Sequence, residues 1–173
     1  METGSVEFTL EEVRQFLDEM QGHDCQLLAD RLERASARLA EIGPRVRPGR
    51  SGEDEWSDHE VLAHIAGLSK FYGVMAHRIA SGQMTEFDLL QPARLRDAAI
   101  HQLSEQQPAA LVQAILDDHR RTIKMLRTID PASMRRTVSV NDGTTMTAEE
   151  VVRLPLVSHL EMHLVQLEKS FSG

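Results

Sequence analysis

Apolar side chains recur at intervals of three and four through most of this chain, the spacing that lines one face of an α-helix. Thr9-Leu10-Glu11-Glu12 has the form of a capping box, in which a hydroxyl and a glutamate three residues on satisfy each other's backbone amides. Leu10, Val13, Phe16, Leu17 and Met20 follow at helical spacing. Leu27, Leu28, Leu32, Ala35, Leu39 and Ile42 continue the period, so the first helix either runs through to Gly43 or breaks near Gly22. Gly43-Pro44 ends it, and residues 45–55 have loop composition, with an arginine cluster expected to be solvated. Ser57-Asp58-His59-Glu60 is a second capping box, and Trp56 before it is placed to staple onto Val61. The second helix follows an expected core face through Val61, His64, Ile65, Leu68, Phe71, Tyr72, Met75 and Ile79 to a stop at Gly82.

Residues 83–103 read as a long connection broken by Pro92, in which Leu95, Ala98, Ala99 and Leu103 suggest one short helix. Ser104 or Gln107 can cap the next helix, with Pro108 in its tolerant first turn and Leu111, Ile115, Ile123 and Leu126 as its period, until Asp130-Pro131 ends it. Short β-prone runs on either side of Asn141-Asp142-Gly143 predict a small hairpin or tight loop. Thr147-Ala148-Glu149-Glu150 caps the last helix, where an interior Pro155 predicts a kink or local opening. Four apolar stripes, starting near Leu10, Asp58, Pro108 and Ala148, are buried most economically in an all-α four-helix bundle.

The chemistry of the pattern lies near the C-terminus. There the face Val152, Leu156, His159, His163, Gln166, Ser170 puts two imidazoles four residues apart where a bundle places core residues. Two inward imidazoles on one helix face can converge on a divalent metal, but two ligands are too few. His64, on the apolar stripe of the second helix, supplies the third, with His119 in reserve; His119 on its own reads first as a satisfied core histidine. His59 and His77 track that stripe less well. Glu161 lies between the paired histidines, but a zincin needs His-Glu-x-x-His and this is His-Leu-Glu-Met-His, so Glu161 is expected on the solvated surface.

Composition narrows the picture. The chain has 173 residues, 41% of them hydrophobic, which suits a single domain over 1–173. Its 19 basic and 27 acidic residues give a formal charge of −8, which argues against a nucleic-acid or anionic-membrane surface. No apolar run approaches the ~20 residues that span a bilayer, so a cytoplasmic location is expected. The lone Cys25 can form neither an internal disulfide nor a multi-cysteine metal site, and it reads as a buried or idle thiol. Serine-hydrolase, phosphate-loop and dinucleotide fingerprints are absent.

Trp56-Ser57 followed by Glu60-Val61-Leu62-Ala63-His64, and then His159-x-x-x-His163-x-x-Gln166 about a hundred residues later, resembles the DinB/YfiT-like superfamily over essentially the whole chain. The resemblance implies a four-helix bundle, often homodimeric, with nickel or zinc held by His64, His159 and His163. It also implies a choice of chemistries: transfer of a low-molecular-weight thiol, isomerisation dependent on such a thiol, or metal-dependent hydrolysis. The chain ends at Gly173, so the extra C-terminal domain of isomerase-like members is not expected here, and thiol transfer to a small electrophile is the leading reading. A hydrolase and a non-enzymatic stress-response or binding protein, its metal structural or vestigial, are the alternatives. The inward faces offer no convincing acid or base carboxylate, and Tyr72 and His119 are candidates by position alone. The loops 44–55 and 83–103 are expected to frame the pocket, with their arginines facing a carboxylated thiol.

Overall fold

The computed structural model describes residues 9–50, 56–88, 101–140 and 143–172. Helix α1, Leu10–Ile42, starts on the Thr9 capping box and passes Gly22 without a break. Gly22 survives inside it because a single glycine costs only about 1 kcal/mol and the residues beyond it pack against the rest of the fold. A 3₁₀ turn, Gly43–Arg45, follows. Helix α2, Asp58–Ala80, starts on the Ser57 capping box. Helix α3, Pro108–Thr128, begins with Gln107 in the capping position but without a side-chain bond, while Ser104 closes an earlier turn onto the His101 carbonyl.

The last helix comes in three joined pieces. Helix α4, Ala148–Val151, opens on the Thr147 capping box; Val152–Ser158 is π-helical around Pro155; and helix α5, His159–Ser170, completes it. Proline cannot donate to the ladder, and here the helix accommodates it by widening. The π segment shifts the buried stripe onto Val152, Leu156, Leu160 and Leu164. The expected stripe through Gln166 and Ser170 is therefore corrected: both are exposed, and the histidines flank the core line.

Side-chain pairs fix how the helices run. Asp24 with Arg153, Arg31 with Glu161 and Arg38 with Glu168 join α1 to the last helix in parallel. Ser69 with His119 and Gly73 against Thr122 set α2 parallel to α3. Arg127 reaching Asp30, with Gly43 against Val112, makes α1 and α3 antiparallel. Ser170 with Asp58 and His163 with His64 make α2 and α5 antiparallel. The circuit is thus α1, α3, α2, α5, with α1 and α2 on one diagonal. A core of Leu28, Leu32, Leu62, Ile65, Leu111 and Ile115, among others, fills the centre.

Because α2 and α3 are parallel neighbours, the chain between them must travel back along the bundle. Of the connection at 83–103, residues 83–88 and 101–103 are described, the latter as helix; the short helix expected around Leu95, Ala98 and Ala99 falls outside the described residues. At the far end β1, Glu86–Phe87, pairs in parallel with β2, Thr137–Val140, and β2 pairs antiparallel with β3, Thr145–Thr147. The predicted hairpin is present, and a third strand has joined it.

The stretch from Leu10 to Met20, apolar at helical spacing, is not buried. Leu10 is 66% and Phe16 60% exposed, and Phe71 of α2 also faces outward, against Tyr72 and Phe87. Among the described residues no helix is long and apolar enough to cross a membrane.

Candidate metal centre

His64 sits two turns into α2, and His159 and His163 open α5. Antiparallel packing of these helices brings together imidazoles that are distant in sequence. Ring centroids are 5.3 Å apart for His64 and His159, 4.9 Å for His64 and His163, and 4.7 Å for the α5 pair. One nitrogen from each ring lies within 4.8 Å of one from each of the others. His64 and His163 are buried, and His159 is half-buried.

The α5 end of the site is fastened from both sides. His163 Nδ1 lies 2.9 Å from Gln166 Oε1. A carboxamide oxygen only accepts, so Nδ1 carries the proton and Nε2 keeps its lone pair. That Nε2 is buried without a hydrogen-bond partner. A buried acceptor left unmet costs about 1–3 kcal/mol, and a cation shared with the neighbouring imidazoles would satisfy it, so the donor set fits a divalent metal. Outside the cluster, the Arg31 guanidinium grips Glu161 through two bonds of 3.1 and 2.6 Å and donates to Ser158 Oγ at 3.1 Å. Glu161, expected to be solvated, is instead a partly buried clasp that sets the rotation of α5 against α1.

Trp56 forms the lip. Its ring centroid is 4.8 Å from that of His64, while 52% of the residue remains exposed. The ring expected to staple onto Val61 thus also lies against the histidine cluster. His59 fastens the loops around this end of the bundle, accepting from the Gly49 amide at 3.3 Å and donating from Nε2 to the Gln106 carbonyl at 2.7 Å.

The reserve ligand stays elsewhere. His119 is 1% exposed, with Ser36 Oγ 2.8 Å from Nδ1 and Ser69 Oγ 2.8 Å from Nε2. Ser36 donates its own proton to the Leu32 carbonyl, so His119 Nδ1–H donates to Ser36 and Nε2 accepts from Ser69. Burial pushes its pKa down to about 4. It is a neutral, satisfied core histidine that ties α1, α2 and α3 together. Tyr72 lies eight residues beyond His64, roughly 12 Å along α2, which takes it away from the cluster. The roles of Gln166, Trp56 and the two serines were the ones pattern reading missed. A carboxamide three residues after a histidine, and lone serines on apolar stripes, were the available signals.

The sequence model of the DinB superfamily matches residues 7–167. The chain belongs to the DinB superfamily. No curated protein matches it in sequence. Among solved structures, this DinB protein is similar to a mycothiol-dependent maleylpyruvate isomerase at TM-score 0.67 and 18% identity, over 84% of this chain and 62% of that one. A mutant of such an isomerase aligns at 0.60 and 19%, over 86% and 60%. The DinB chain therefore spans less than two thirds of the isomerase's length. YfiT from Bacillus subtilis, described as a probable metal-dependent hydrolase with an unusual four-helix bundle topology, aligns at 0.53 and 14%, over 99% of this chain and 94% of its own. At these identities the likeness is one of fold.

Proposed function

We propose that this DinB protein is a metal-dependent enzyme in which His64, His159 and His163 hold one divalent ion, zinc or nickel, and that it transfers a low-molecular-weight thiol to a small electrophile. The observation that carries the reading is the convergence of the three imidazoles, one of which, His163, has a buried Nε2 that makes no hydrogen bond. Bound there, a divalent ion would lower the pKa of a thiol or a water entering its open position, which removes the need for a dedicated base.

The chain's own residues have definable tasks. Gln166 holds the His163 tautomer, and the Arg31–Glu161 clasp holds the pitch of α5. Trp56 offers an apolar wall to an incoming organic group. Of the loop arginines among the described residues, Arg45 is stacked 4.5 Å from the Phe171 ring and Arg50 meets Glu105, so Arg47 is the one we assign to a carboxylated thiol. The same reading makes the protein a single-domain, cytoplasmic homodimer that acts on small molecules and not on nucleic acid. The dimer draws support from the uncovered apolar residues of α1, including Leu10, Phe16 and Leu17.

Trp56 is the chain's one tryptophan and touches His64, so it is a built-in reporter. Nickel or copper titrated into the metal-free protein should quench its fluorescence with one-site stoichiometry. The holoprotein should then conjugate a generic electrophile with mycothiol, bacillithiol or glutathione. Metal-dependent ester or amide hydrolysis without any response to thiols would replace the transferase by a hydrolase, the activity named for YfiT. Quenching with no turnover in either assay would leave a binding protein, and sedimentation at micromolar concentration decides the dimer.

A further inference from the structure

We propose that the outer groove between α2 and α3 binds a carboxylate-headed amphiphile, an organic acid with an aliphatic or aromatic body, at a site separate from the histidines. The groove encloses about 520 Å³, within the ~300–1,000 Å³ typical of small-molecule sites. It lies on the α3 side of α2, whereas His64 turns toward α5.

The shape is set by helix contact. A Cβ on Gly73 would stand 2.7 Å from Thr122 Oγ1, so the two helices touch there and close the inner end of the groove. Val74, Met125 and Ile129 supply apolar lining, and Val74 is 52% exposed. The hydroxyls nearby are already engaged: Ser69 donates to His119 Nε2, and Thr122 donates to the Asp118 carbonyl. The inner wall therefore offers an apolar surface and no spare polar group, which suits the body of the ligand.

The rim carries the opposite character. Lys70, His77, Arg121 and Lys124 line it, against the single carboxylate of Asp118. That carboxylate is paired with Arg121 at 2.8 Å. Among the described residues neither Lys70 nor Lys124 enters an ion pair. Two uncommitted ammonium groups over an apolar trough, on a chain whose formal charge is −8, make a local field that attracts an anion and leaves a cationic amphiphile unrewarded. The trough excludes a simple inorganic anion as the best fit, because such an ion would leave Val74 and Met125 bare.

The test uses the full chain, metal-free and metal-loaded, titrated with decanoate, decanol and decyltrimethylammonium while backbone amide resonances are followed. Decanoate should bind saturably, shift amides in 69–77 and 118–129, and leave those of 159–166 in place, with or without metal. The double variant Lys70→Glu/Lys124→Glu, two exposed positions whose change spares the core, should keep its Tm and lose about tenfold in decanoate affinity. Equal binding of decanol or the ammonium amphiphile, affinity unmoved by the double variant, or shifts centred elsewhere would overturn the proposal. So would sedimentation showing that a second copy covers this face and that decanoate does not displace it. Because the histidines take no part, loss of metal binding leaves these expectations unchanged.

Discussion

A histidine ligand is made by what holds its other nitrogen. His163 presents Nε2 because Gln166 occupies Nδ1, so Gln166→Ala should weaken the metal about 10–100-fold while leaving the stoichiometry intact. His64→Ala, His159→Ala and His163→Ala should each abolish stoichiometric binding, read by metal analysis after competition with a chelator. Retention of full affinity by any of the three would remove that residue from the site. Ligation needs neutral imidazoles, so metal should also be released as pH falls.

His119 shows the opposite use of an imidazole. Its buried form has a pKa near 4 against an ordinary 6.5, so the unfolded chain takes up a proton that the folded chain refuses. This group's contribution is complete above pH 6.5 and is lost as pH falls toward 4, a loss on the order of 3 kcal/mol. Urea unfolding at pH 7 and pH 4.5 should show a steeper loss in the native protein than in His119→Gln, and identical losses would refute the assignment. The residues legible from sequence were those whose neighbours are local in pattern: the α5 histidines by spacing, His64 by its stripe. Glu161 was misread because its partner, Arg31, is 130 residues away on α1 and leaves no trace in local periodicity.

At the scale of elements, capping chemistry made three of the four helix starts readable, and Pro108 in the first turn marked the fourth. Thr9, Ser57 and Thr147 each form the reciprocal pair with a glutamate three residues on. Ser57→Ala and Thr147→Ala should each cost about 1 kcal/mol in thermal or urea unfolding. Only the first should also weaken metal binding, because the first turns of α2 carry Trp56 and His64. Equal effects on the metal would mean that the cap acts through global stability alone. Pro155 announced a local opening, but the phase of the stripe beyond it depended on how the helix opened. Widening into a π segment, where a kink was equally open, put Gln166 and Ser170 in solvent. Strand β1 was illegible because two residues in a parallel, non-local pair carry too little pattern to read.

At the scale of the molecule, the bundle was readable and its circuit was not, since four amphipathic stripes do not say which helices run parallel. The circuit decides what the site asks of the chain. His64 and His159 meet only after a segment on the order of a hundred residues has closed on itself, and loop closure of that length comes at an entropic cost before any contact repays it. The α2–α5 junction should accordingly form after the rate-limiting step of folding. An ion across a late junction lengthens the life of the native state and does little for its birth. Stopped-flow measurements should find unfolding slowed by zinc or nickel and refolding nearly unchanged; a comparable acceleration of refolding would place the histidine cluster in the nucleus. The histidines would then work as a latch, thrown after the door has shut.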